Sequence, residues 1–184
     1  MTALPSIHLL PLRFDVAPLT HELDAHSDLW GQHKWRTEHP QSPHREARDI
    51  WLRYAPLRNL GPHFNDPHES EWYPAIAKLP AARVLAEDMF ERVNGETLGG
   101  VLLTKVPAGS QVYPHADRGW HAEHYEKFAI QVAGNKEQFF CYGDGCLSPE
   151  TGESFWFENQ SPHWVVNESG EDRITLICCI RRVH

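Results

Sequence analysis

The chain has 184 residues, 41% hydrophobic and 11% aromatic, with a formal net charge of -8. That is enough for one globular domain, residues 1–184, with a core that folds without cross-links. The acidic balance and scattered Lys and Arg exclude a nucleic-acid backbone or an anionic membrane as partner, because both require clustered cations.

Residues 7–14 carry a short apolar run interrupted by Pro11, which predicts an edge strand because proline forfeits a ladder hydrogen bond. Leu19, Leu23 and Trp30 fall at helical spacing after early acids, so residues 18–30 predict a short helix that Gly31 ends. Residues 32–43 are polar and rich in His and Pro, hence loop; 48–54 read as a strand and 61–70 as a second loop. The clearest helix is 80–93, with Leu85, Ala86, Met89, Phe90 and Val93 on one face and Asn94-Gly95 as its stop. After Gly99 the period changes to two, and 101–106, 128–132, 138–142, 154–157, 164–166 and 174–180 are six strand candidates. Helices first and strands afterwards predict an α+β, mainly β chain, with an N-terminal part (1–97), a strand-rich core (98–182), and helices packed outside a barrel-like roll.

The N-terminus has neither the basic region nor the apolar run of a signal peptide, and no stretch approaches a membrane span. Cys141, Cys146, Cys178 and Cys179 form no paired CxxC framework, which fits a reducing, cytoplasmic location. Adjacent on a strand, Cys178 and Cys179 point to opposite faces, one expected in the core and one toward the surface.

The chemistry concentrates at Gly109-Ser-Gln-Val-Tyr-Pro-His115-Ala-Asp117. In an extended segment residues i and i+2 point to the same side, so His115 and Asp117 can reach one ion. A distant His163 completes a two-His-one-carboxylate facial triad, the set that holds Fe(II) and leaves positions open for a co-substrate and O2. Arg173 lies ten residues beyond His163 and opens an almost wholly apolar strand, where an inward guanidinium is costly without an anion. A bound dicarboxylate would supply that anion through the bidentate fork that arginine offers. Thr175 shares its face, and Gln131 and Lys127, four apart, share a face on the strand after the ligand pair. His121 and His124 compete for the metal but lack the carboxylate spacing, and Asn167, four after His163, is a candidate to orient its imidazole. Residues 118–125 read as a lid or a plain connection, and Arg45, Arg48 and Arg53 as possible substrate contacts.

The order His-x-Asp, His163, Arg173-x-Thr175 resembles the Fe(II)/2-oxoglutarate oxygenases. The run Gly152-Glu-Ser-Phe-Trp-Phe-Glu-Asn followed by His163-Trp-Val-Val-Asn and Arg173-Ile-Thr-Leu-Ile is most similar to the aspartyl/asparaginyl β-hydroxylase family. The resemblance covers roughly residues 98–182. It implies a double-stranded β-helix (a cupin-like jelly roll), Fe(II) on His115, Asp117 and His163, and 2-oxoglutarate held by Arg173 with Thr175 and Gln131. The implied activity is O2-dependent hydroxylation of a polar substrate, an amino acid or an amino-acid side chain in a peptide or protein. Asp117 departs from the animal peptide hydroxylases of that family, which lack the carboxylate ligand, so their substrate does not carry over. Two readings compete. The spacings Gly109-x5-His115 and His163-x3-Asn167 echo a metal-dependent cupin without 2-oxoglutarate, but leave Arg173 without a task. A metal-free roll that binds a ligand or partner is the other.

Overall fold

The computed structural model describes residues 6–59 and 66–182. Alternation along β11 (Arg173–Arg182) shows how the roll is organised. Leu176, Cys178 and Ile180 belong to one hydrophobic cluster, while Thr175, Ile177 and Cys179 face the other way, toward a cavity. The strand is covered on both faces, which is why both neighbouring cysteines are buried and neither lies toward the surface as expected.

β11 pairs antiparallel with β4 (Gly95–Val106) on one side and β6 (Glu126–Ala133) on the other. Outward from β6 come β9 (Glu153–Phe157) and then, at the edge, β1 (Ile7–Arg13). Outward from β4 come β2 (Arg48–Tyr54) and the two-residue β3 (Glu71–Trp72). Strands from the N-terminal part are thus built into the larger, seven-stranded sheet. A smaller sheet has the order β5 (Gln111–His115), β10 (His163–Asn167), β7 (Gln138–Tyr142), β8 (Gly145–Leu147). Phe140, Phe155, Phe157 and Val165 from both sheets pack together, the facing arrangement of a double-stranded β-helix.

Helices α1 (Ala17–Ala25) and α2 (Pro80–Arg92) cover the outer face of the larger sheet. Leu19 and Leu23 of one, Leu85, Ala86 and Met89 of the other, meet Val101, Leu103, Phe128, Ile130 and Leu176. α2 lies where the sequence predicts it, whereas the helix expected at 18–30 ends at Ala25 and a separate 3-10 turn covers Ser27–Leu29. The stop of α2 uses both of its residues: Asn94 takes a left-handed φ of 56°, and a Cβ on Gly95 would lie 2.3 Å from the Phe90 ring. None of the described helices is long and apolar enough to cross a membrane.

Several elements differ from expectation. β3, β5 and β8 are additional short strands, and residues 118–125 contain the helical turn α3 (Trp120–His124). Cys141 and Cys146 form a disulfide, contrary to the unpaired reading. They are directly opposed across β7 and β8 because the Gly143-Asp144 turn folds a hairpin whose register aligns them. A disulfide removes the ground that the cysteine spacing offered for a reducing compartment. Of the loop expected at 61–70, residues 61–65 lie outside the described residues.

Candidate metal centre

β5 and β10 are neighbours in the smaller sheet, and their register sets His163 opposite His115. The turn before β5 requires Gly109, whose φ of 68° is left-handed; no neighbouring atom restricts a side chain there, so conformation alone selects glycine. Asp117 follows two residues after His115 and is held by its backbone N–H, which donates to the Asn159 carbonyl at 2.8 Å. The ligand atoms of His115, Asp117 and His163 all lie within 4.8 Å of one another.

Both imidazoles are oriented from behind. His115 Nδ1–H donates to the Tyr113 carbonyl at 2.8 Å, and His163 Nδ1–H to the Ser161 carbonyl at 2.9 Å. A carbonyl only accepts, so each Nε2 keeps a lone pair for an ion. Asn167 takes no part in this. Its amide donates to the carbonyls of Val106, Pro107 and Glu171, tying the end of β10 to the turn before β11. Burial pushes the His163 imidazole down to about 4 and lowers His115 as well, so both rings are neutral donors at neutral pH. For Asp117 burial acts to raise the carboxyl, but Lys127, His163, His115 and Arg36 outweigh it and hold it below its ordinary value. Two neutral imidazoles and one carboxylate are the donor set of a divalent first-row ion.

Arg173 lies across the same cavity. It is 3% exposed, and burial alone pushes its guanidinium well below its ordinary value, down to about 10. Nη1 donates to Thr175 Oγ1 at 2.6 Å, while Nη2 is buried with no hydrogen-bond partner. The Thr175 hydroxyl donates to Gln131 Oε1 at 3.3 Å, and the Gln131 amide donates to the Ala133 and Ile174 carbonyls. Gln131 is fully buried behind Thr175 and touches the cavity only through it. An orphaned guanidinium donor in a cavity that also holds the three ligand residues fits the carboxylate of a bound acid.

Other candidates lie elsewhere. His121 accepts the Gly100 N–H at 3.3 Å, and His124 stacks on Trp120. Arg45 lies over the Tyr113 ring, and Arg53 donates to the Leu98 carbonyl and faces Trp72. The cavity instead receives Arg36 and His44 from the polar loop after α1. Arg36 grips both Asp49 oxygens, at 2.7 and 3.0 Å, and donates to Thr104 Oγ1 and to His44 Nε2. The His44 ring then meets the His115 ring edge-on at 4.4 Å. The sequence carried one signal for this: Asp49 directly precedes the apolar run Ile50-Trp51-Leu52 in β2, and its fully buried carboxylate demands a cation.

The family model for aspartyl/asparaginyl beta-hydroxylase matches residues 15–183. No curated protein sequence matches the chain. Among solved structures, an oxidoreductase of the 2OG-Fe(II) oxygenase family from Burkholderia pseudomallei is 14% identical with a TM-score of 0.59, over 97% of this chain and 85% of that one. A prolyl hydroxylase from Trichoplax adhaerens, in complex with a hypoxia inducible factor peptide fragment, is 9% identical with a TM-score of 0.60, over 96% and 83%. A viral collagen prolyl hydroxylase from Paramecium Bursaria Chlorella virus-1 is 11% identical with a TM-score of 0.55, over 97% of each chain. At such identities these likenesses speak for the fold, and the family model speaks for the family. The chain belongs to the aspartyl/asparaginyl β-hydroxylase family, and its activity class is that of a hydroxylating dioxygenase.

Proposed function

We propose that His115, Asp117 and His163 hold Fe(II), that Arg173 and Thr175 hold the distal carboxylate of 2-oxoglutarate, and that the enzyme hydroxylates an amino acid or an amino-acid side chain. When bound, iron and co-substrate together supply the oxidation: O2 is consumed, 2-oxoglutarate becomes succinate and CO2, and one oxygen atom enters a substrate C–H bond. The observation that carries this reading is the unpartnered Nη2 of Arg173 in the cavity of the three ligand residues. A cupin without 2-oxoglutarate, or a metal-free roll, gives that buried cation no anion.

The protein's own residues bind and orient. The carbonyls of Tyr113 and Ser161 fix the two imidazoles. Gln131 fixes the Thr175 hydroxyl, and Thr175 in turn steadies one arm of Arg173 and leaves the other for the acid. Phe140, Phe157 and Val165 exclude water from the cavity wall.

Substrate recognition is assigned to three polar segments, residues 32–48, 61–70 and 118–125. Arg36 and His44 of the first line the metal cavity, His68 of the second meets Tyr54 edge-on and stacks on His121, and Arg118 and His121 of the third line the adjoining cavity. Their polar character supports an amino-acid-type substrate over a lipid. Anaerobic titration of Fe(II)-loaded protein with 2-oxoglutarate tests the reading: a weak visible charge-transfer band and substrate-stimulated succinate formation are expected. A protein that binds Fe(II) yet shows neither band nor succinate overturns it.

A further inference from the structure

The metal cavity adjoins a second one, which shares Arg36, Leu102, Asp117 and Lys127 with it and is otherwise walled by Trp51, Tyr54, Arg118 and Cys179, among others. Lys127 stands where the two meet. It sits directly opposite Cys179 in the β6–β11 register, and its side chain is only 12% exposed. Its ammonium has three donors. One reaches Cys179 Sγ at 3.1 Å, a weak acceptor, and the nearest carboxylate oxygen, Asp117 Oδ2, is 3.8 Å away, beyond hydrogen-bond reach. Arg36, the other cation here, is by contrast fully engaged with Asp49, Thr104 and His44.

The charges sharpen this. In the reading above, which this inference rests on, the divalent ion, the Asp117 carboxylate, a dianionic co-substrate and Arg173 cancel one another. Arg36 and Asp49 cancel as a pair. Lys127 then keeps only a share of Asp117, 3.8 Å away and already facing the ion, so a largely buried cation is left that an incoming anion would neutralise. The co-substrate does not reach it through its tail. Arg173 and Cys179 are six residues apart along β11, about 20 Å of strand, so the two cations address different ligands at opposite ends of the interior row.

We propose that Lys127 anchors a carboxylate of the prime substrate, which lies in this second cavity against Trp51 and Tyr54. The carboxylate sits beside Asp117, so the carbon to be oxidised is within a few bonds of it. The aromatic wall takes the apolar part of the molecule. Two sources present this chemistry: the α-carboxylate of a free amino acid, or the side-chain carboxylate of an acidic residue in a peptide.

The test uses the full-length protein loaded with Zn(II), which does not turn over, and saturated with 2-oxoglutarate, with binding read by calorimetry. The probes are free L-amino acids, their methyl esters, and capped peptides carrying Asp or Glu beside matched peptides carrying Asn or Gln. At least one acid is expected to bind, with its ester or amide about tenfold or more weaker, the worth of a hydrogen bond to a charged group. Free acids point to an α-carboxylate and capped acidic peptides to a side chain. Lys127→Gln is expected to bring acid and neutral analogue to the same affinity, and Lys127→Arg to restore part of the preference. Equal affinity of acid and ester in the unmutated protein, or no binding by any acid, overturns the proposal without need of a variant. So does a Lys127→Gln protein that keeps its acid preference, or one that loses Zn(II) or 2-oxoglutarate affinity instead. Failure of the unmutated protein to bind Zn(II) and 2-oxoglutarate in the first titration strikes the oxygenase reading itself, and is read separately.

Discussion

Replacing Arg173 by methionine is expected to make the ligand-free protein more stable and the ligand-bound protein less so. The guanidinium is 3% exposed and burial moves it well below its ordinary value, down to about 10, a shift that corresponds to roughly 3 kcal/mol against the charged form. The folded-state value lies below the unfolded one for a base, so this cost is fully present at neutral pH and is relieved only as pH rises through about 10. Methionine of similar length removes the charge and keeps most of the packing, a swap that is commonly neutral or stabilising by about 1–4 kcal/mol. Against that stands one hydrogen bond to Thr175, of about 1 kcal/mol. The net expectation is a gain of about 1–3 kcal/mol for Arg173→Met, measured by urea denaturation at pH 7 with a chelator present. With metal and 2-oxoglutarate at about a hundred times its Kd, the unmutated protein gains about 2.7 kcal/mol from the co-substrate and the variant gains nothing. The two stability orders should therefore cross. A variant that is less stable without ligand, or that is still stabilised by 2-oxoglutarate, would refute the assignment of Arg173 as an anion site kept at a cost.

Asp117→Ala leaves two neutral imidazoles without a charge to hold a dication, and Zn(II) affinity by calorimetry should fall by more than about a hundredfold, beyond what outer contacts to a ligand are worth; retention of affinity would remove Asp117 from the set. Gln131→Leu strands the Ala133 and Ile174 carbonyls and frees the Thr175 hydroxyl. It should lower stability by about 1–3 kcal/mol and weaken 2-oxoglutarate binding severalfold, while an unchanged co-substrate Kd would confine Gln131 to a structural task. Arg36→Met leaves a fully buried Asp49 carboxylate unpaired and should destabilise by about 3–5 kcal/mol, whereas the double variant with Asp49→Leu should recover most of the loss. Reducing Cys141–Cys146 opens a loop of only a few residues, so a loss of about 2 kcal/mol with metal binding intact is expected; loss of the metal would show that the hairpin holds His163 in place.

Much of the fold was legible because the signals are local. Period two marked β2, β6, β7, β9, β10 and β11 within two residues, and the apolar stripe and Asn94-Gly95 stop marked α2. β3 and β8 escaped because two or three residues show no period, and β5 because Pro114 interrupts it. The disulfide escaped because Cys141 and Cys146 become neighbours only through hairpin register, which no spacing rule encodes. At the site, ligand residues two apart on one strand could be read from the chain, and so could a charged residue opening an apolar strand. Arg36 could not, since a loop arginine becomes a cavity wall only when the large sheet brings Asp49 and Thr104 side by side.

The three cations that line the metal cavity, Arg36, Lys127 and Arg173, separate structure from function by their partners. Arg36 has four acceptors, an acid among them, and would be kept in a protein that bound nothing. Arg173 has one neutral partner and an orphaned nitrogen, and Lys127 has one thiol and a share of the Asp117 carboxylate, 3.8 Å away. An interior that served stability alone would pair these two more fully or replace them with apolar side chains, because a poorly compensated buried charge destabilises by several kcal/mol. Their positions at opposite ends of one row on the β6–β11 pair therefore mark where anions enter, one near Thr175 and the other near Cys179. The two imidazoles lie on the sheet facing that row, with Asp117 just beyond the end of β5, so any two acids held at its ends meet at the metal.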